Sequence, residues 1–177
     1  MLALRSDSSG ICSVGDNDHN LGFETICACA VLRGASRSVT QLYDLVLAPT
    51  GLRATQFIIL KTIHDTGEIA QCDYARKNAI AVETLSRRFG GLRRKGLVEL
   101  RIGPQHGERI YALSEHGKKL LKQAMPYWNL AQRRLRNALG ETDWSLMLEL
   151  SERISSAAHN AEQLRTNNSL APKTKIP

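Results

Sequence analysis

No apolar run in this 177-residue chain is long enough to cross a bilayer, which argues against a membrane-spanning helix. The first residues lack the basic region, long apolar core and small-residue cleavage site of a secretory signal, so a cytoplasmic location without a membrane partner is expected. Cysteine is sparse. Cys12, Cys27, Cys29 and Cys72 match neither a zinc spacing nor a dense disulfide framework, and a reducing compartment would keep them as thiols. His64, His106, His116 and His159 are scattered without ligand spacing, so no metal site and no cofactor are expected. No internal repeat is visible.

Positive charge, by contrast, is in excess. Twenty-four Lys and Arg against 17 Asp and Glu give a formal net charge of +7, which favours a polyanionic partner, nucleic acid or an anionic surface. At 42% hydrophobic residues the chain can build one domain with a real core.

The expected organisation is a flexible arm at 1–22, a folded region at 23–160 and a flexible tail at 161–177, because the polar ends cannot bury enough to offset the entropy of ordering. From Glu24 to Ala48, Ala28, Leu32, Ala35, Val39, Leu42 and Val46 recur at four-and-three spacing, the apolar stripe of a long helix that Pro49 and Gly51 stop. A second helix from about Arg53 to His64 turns Phe57, Leu60 and Ile63 inward. Further on, Ser114 can cap a helix to Leu139 that Pro126 bends, and Gly140 separates it from a last helix, roughly Thr142 to His159, with Trp144, Met147 or Leu148, and Ile154 on its apolar side.

The richest segment lies between Gly67 and Gly117. After a short helix, Val82, Leu85, Phe89 and Leu92 form an apolar stripe in a segment spanning Ala81 to Lys95, while Thr84, Arg87, Arg88 and Gly91 fall on another face. Arg76, Lys77, Arg87, Arg88, Arg93, Arg94 and Lys95 meet only one acid, Glu83. A charge run alone can be a solvated helix face, but its flanks decide otherwise. Leu97–Arg101 and Glu108–Leu113 are β-prone runs joined by a Gly-Pro-Gln-His-Gly turn, so they read as a hairpin. A basic helix followed by such a wing is suited to DNA: Thr84, Ser86, Arg87 and Arg88 at base edges, Arg94 on phosphates, and Arg109 with His106 near the minor groove, although His106 reads first as an exposed turn residue. The fold expected is mainly α with a small β-wing.

Taken in order, Ala35 to Thr40 with Tyr43-Asp44, Leu47 to Leu52, Thr55-Gln56-Phe57, Thr84 to Arg87, Leu92 to Val98 and Leu113 to Gly117 resemble the MarR (multiple antibiotic resistance regulator) family of winged helix-turn-helix repressors. The resemblance covers about Phe23 to Ser155. It implies a homodimer binding a pseudo-palindromic double-stranded operator, with the winged helix-turn-helix at 52–113 and dimerisation helices at 23–50 and 114–160. It also implies a regulatory ligand or redox site where the two regions meet. Two departures stand out. The family's wing Asp-x-Arg pair is replaced by Gln105-His106-Gly107, leaving Arg109 as substitute, and the turn before the reading helix is Asn78-Ala79-Ile80-Ala81, in which Asn78 can adopt a left-handed conformation but Ala81 cannot cap.

Cys29, eight residues before Arg37, resembles the cysteine position of the organic-peroxide-sensing OhrR regulators. Cysteine on an apolar helix is otherwise a small core residue, and Cys72 reads as packing. Because residues two apart on a helix diverge by about 200°, Cys27 and Cys29 cannot join unless the helix end unwinds, and oxidation would need a sulfenic acid, a small-thiol adduct or another subunit's cysteine. The other effector is a small phenolic or anionic ligand, for which Arg33, Arg37, Tyr43, Phe57 and His64 are candidate linings. Two other classes compete with a regulator: a peroxidase-like thiol enzyme using Cys29, which lacks a nearby general base in sequence, and a winged-helix protein-interaction module, which leaves the basic face unexplained.

Overall fold

The computed structural model describes residues 27–104 and 107–168, with side chains as far as Ala161. The chain divides into two units, Met1–Arg37 and Ser38–Pro177. Helix α1 spans Ala28–Leu47 and is followed by a 3-10 turn at Ala48–Thr50, whose end, Gly51, is left-handed at φ 70°. Next come α2 (Ala54–Thr66), β1 (Glu68–Ala70), α3 (Gln71–Lys77), α4 (Val82–Arg94), β2 (Val98–Ile102), β3 (Arg109–Leu113), α5 (Glu115–Leu139) and α6 (Glu141–Asn168). Among the described residues no helix is long and apolar enough to cross a membrane.

The strands form one antiparallel sheet in the order β1-β3-β2, so the central strand lies last in sequence. Tyr111 on β3 stands opposite Ile69 on one side and Leu100 on the other. The expected hairpin forms as β2 and β3, and β1, which was not expected, adds a third strand on the other edge of β3. Each three-residue β1 position gains its partner only from β3, which sequence spacing does not reveal.

Phe57, Leu60 and Ile63 of α2, Leu85, Phe89 and Leu92 of α4, and Leu97, Val98, Tyr111 and Leu121 are all buried in one cluster. Burying a side chain of this size contributes about 1.5–3 kcal/mol. Phe57 stacks on Trp128 of α5 with ring centres 5.8 Å apart, and Lys61 Nζ lies 5.8 Å from the same Trp128 ring. The start of α2 is held by Asp44, which accepts from the Ala54 amide at 2.7 Å and from Arg53 at 3.0 Å. Ser114 caps α5 as its sequence promised: its hydroxyl accepts from the Gly117 amide at 3.0 Å and donates to the Gly96 carbonyl at 2.6 Å.

Several expectations require correction. Val82, expected on the inward stripe of α4, is 41% exposed; on α1, Ala28, Leu32 and Ala35 keep their helical spacing and are exposed in the single chain. The left-handed residue of the turn before α4 is Ala79, at φ 49°, and Asn78 has φ −105°. A Cβ there is strained, by roughly 1–2 kcal/mol. Cys72 is exposed rather than packed. Helix α6 reaches Asn168, past the boundary at 161 expected for the tail, whereas α5 spans Glu115–Leu139 with Pro126 inside it, the extent expected. The arm at 1–22 and residues 169–177 lie outside the described residues.

Gly117 is set by close approach. A Cβ on it would stand 2.0 Å from the carbonyl oxygen of Leu97, a backbone atom at the entrance of β2. Gly117→Ala is therefore expected to cost at least the 1–3 kcal/mol or so of core overpacking. Denaturant titration of the variant checks this, and a midpoint equal to that of the parent would contradict it.

Candidate nucleic-acid interface

Helix α4 separates two functions by angle. Leu85, Phe89 and Leu92 recur at four and three and are fully buried, whereas Arg87, Gly91 and Arg94 recur at four and three on the opposite side. Arg87, Arg88, Arg93 and Arg94 are exposed, with Thr84 half-buried. Thirteen residues make the helix about 20 Å long, and its width suits a major groove.

Not every basic residue in the run is presented outward. Arg76 is paired with Asp73 at 2.6 Å, and Lys95 Nζ turns back towards the Gly51 carbonyl at 3.4 Å and Gln56 Oε1 at 3.5 Å. Ser86, expected at base edges, is instead half-buried and accepts from Gln71 Nε2 at 2.6 Å. Its hydroxyl is used inside the fold. Burial pushes the Tyr74 phenol above its ordinary value, while a hydrogen bond with Thr62 and the positive charge of nearby Arg88 act in the opposite direction.

The floor of α4 rests on aromatics. Tyr111 of β3 stacks on Phe89 with ring centres 3.9 Å apart and planes 7° from parallel, and Tyr74 of α3 meets Phe89 edge-on at 6.3 Å. Arg109 is exposed at the first position of β3, opposite Ile102, on the side of the sheet's hairpin turn. His106 lies outside the described residues.

The effector candidates are dispersed. Cys27 and Cys29 are exposed, and Cys29, Leu32, Arg33, Ser36 and Arg37 border a shallow groove on the first half of α1. Tyr43 donates to Gln132 Oε1 of α5 at 2.7 Å, and burial raises its phenol pKa. Phe57 is fully buried against Trp128 and offers no surface to a ligand, which removes it from the lining set. A second cavity, of about 480 Å3, lies between α2 and α5 and is lined by Lys61, His64, Asp65, Lys118, Leu121, Lys122 and Met125. Only His64 was expected there. The legible signal was Lys118 and Lys122, one helical turn apart beside Leu121 and Met125.

No protein-family model matches this chain, and no curated protein does. Solved structures do. The chain is similar to the transcriptional regulator MosR of M. tuberculosis, crystallised in complex with DNA, at 29% identity and TM-score 0.70, over 77% of this chain and 98% of that one. A MarR variant from E. coli complexed with operator DNA is 19% identical with TM-score 0.68, over 76% and 98% respectively. A MarR-family regulator from Rhodococcus sp. is 22% identical with TM-score 0.62, over 70% and 89%. The fold is thus the winged helix of MarR-type transcriptional regulators, which bears out the family resemblance read from the sequence, while the OhrR-like position of Cys29 is not confirmed by these neighbours.

The outer face of α4 also carries an avoidable helix cost. A Cβ on Gly91 would meet nothing within 4 Å, so packing does not require glycine there. Gly91→Ala is expected to stabilise the fold by about 0.5–1 kcal/mol, seen as a higher unfolding midpoint. An unchanged or lower midpoint would show that Gly91 has a structural role in the isolated chain.

Proposed function

We propose that this chain is a DNA-binding transcriptional regulator, a repressor that binds a pseudo-palindromic operator as a homodimer. The observation that carries the reading is the exposed arginine face of α4, held rigidly by a buried aromatic floor. Support comes from the similarity to MosR, which was solved with DNA. Two α4 helices would enter successive major grooves roughly 10 base pairs apart, with Arg109 of each wing towards the minor groove. Leu146, Leu150 and Ile154 recur every four residues on α6 and are exposed, as are Val31 and Leu32 on α1; such apolar surfaces suit a second copy of the chain.

Release from DNA is assigned to an effector. The α2–α5 cavity has an apolar floor and is lined by Lys122 and His64 together with Lys61, paired to Asp65, and Lys118, paired to Glu115, a setting for a small aromatic or phenolic anion. Oxidation is the second reading, favoured by the exposure of Cys27 and Cys29 and by Arg33, one helical turn from Cys29 on the same groove.

Electrophoretic mobility shift and footprinting on the DNA upstream of the chain's own gene test the main reading, the expected footprint being two symmetric half-sites. Arg87→Ala should abolish specific binding, whereas Arg94→Ala should weaken binding to all sequences and lower the salt dependence by about one phosphate contact. Wild-type affinity in both variants would refute this placement of the reading face.

For the effector, peroxide treatment followed by intact-mass measurement should give an adduct at Cys27 or Cys29 together with loss of DNA binding if oxidation is the signal. No adduct and unchanged binding would discard oxidation. Release by a substituted benzoate, blocked by Lys122→Ala, would instead support the cavity.

A further inference from the structure

We infer that Gln71 is the positioning residue of the DNA-reading helix, coupling the wing to α4 through a single buried carboxamide. The inference rests on the regulator reading and deepens it. Gln71 opens α3 and is a buried polar side chain, 3% exposed. Its Nε2 donates to Ser86 Oγ at 2.6 Å and to the Val82 carbonyl at 3.4 Å, and its Oε1 accepts from the Tyr111 hydroxyl at 3.4 Å. Three elements therefore meet on one amide: α3 supplies it, the first turns of α4 receive its protons, and β3 occupies its oxygen.

Why α4 needs this tie follows from what its own start lacks. Ala81 occupies the N-cap with no side-chain hydrogen bond, and two residues earlier Ala79 holds a strained positive φ. Neither residue fixes how far the helix is rotated. A buried amide must satisfy both ends, since an unmatched polar group there is costly, so Gln71 restricts the first turns of α4 to the rotation in which Val82 and Ser86 face it. Arg87, next to Ser86, is thereby held on the exposed side of the helix. Tyr111 joins the tie twice, by its hydroxyl on Gln71 and its ring on Phe89, so a shift of the wing would be felt in the rotation of α4.

The test measures discrimination, not binding alone. Wild type, Gln71→Met, Tyr111→Phe, Ser86→Ala, the Gln71→Met/Ser86→Ala double variant and Arg87→Ala are each titrated with a duplex selected by wild type from a random-sequence pool, and with the unselected pool. Titrations are made well below every unfolding midpoint. Gln71→Met is expected to lose about tenfold in preference for the selected duplex while affinity for the unselected pool and its salt slope stay unchanged. Tyr111→Phe and Ser86→Ala should each lose preference in the same direction, and the double variant should be no worse than Gln71→Met. If Gln71→Met fails to fold, the two milder variants carry the test. Wild-type preference in every folded variant of this group, with Arg87→Ala impaired, would overturn the inference alone. Equal binding of both DNAs by wild type would overturn the regulator reading and this inference with it.

Discussion

Phe89 lies between two aromatic rings, with Tyr111 flat against it at 3.9 Å and Tyr74 edge-on at 6.3 Å. Each ring comes from a different element, so the contact joins the central strand, α3 and α4 at one point. Stacked and edge-to-face pairs of this kind contribute about 0.5–1.5 kcal/mol beyond the area they bury, and their geometry restricts how the elements can slide. The exposed arginines of α4 have no comparable local constraint. Their direction in space depends on Phe89, on the far side of the helix, together with the Gln71 contacts at its first turns.

This division explains how a helix with such poor intrinsic support stays formed. Gly90 and Gly91 weaken its middle, Ala81 leaves its start without a side-chain cap, and like charges crowd its last turn. Arg93 and Arg94 at the C-terminal end are the partial exception, since the helix dipole favours cations there. Burial of Leu85, Phe89 and Leu92 must therefore hold the element, as tertiary packing commonly outweighs propensity. A helix stabilised in this way can devote its outer face to ligand contacts.

The sequence was readable where periodicity and capping dominate. Helices α2 and α5, the buried stripe of α4 and the Ser114 cap all follow from spacing and side-chain chemistry that act within a few residues. What escaped depends on distant partners. Glu68-Ile69-Ala70 is too short to show alternation and becomes a strand only because β3 offers an edge. Ser86 looked like a reading residue because it lies beside Arg87, yet Gln71, 15 positions earlier, claims its hydroxyl. Asn78 was the chemically reasonable left-handed residue, but its side chain donates to the Tyr74 carbonyl and the turn passes the strain to Ala79. On α1, the apolar stripe was legible but what covers Ala28, Leu32 and Ala35 was not, because a helix pattern names a face and not its partner.

That uncovered stripe bears on how much one chain could read. A single α4 presents Thr84, Arg87, Arg88 and Arg94, and a good base contact discriminates by only about 1–3 kcal/mol. Specific sites must exceed non-specific DNA by roughly 4–10 kcal/mol, and a phosphate contact such as that assigned to Arg94 adds affinity without discrimination. One lobe therefore falls short at the upper end of that range, whereas two lobes on a symmetric operator double the discriminating contacts. For the homodimer proposed above, the exposed Leu146, Leu150 and Ile154 of α6 would matter to sequence recognition alongside the arginines, as apolar surface for a second copy to cover.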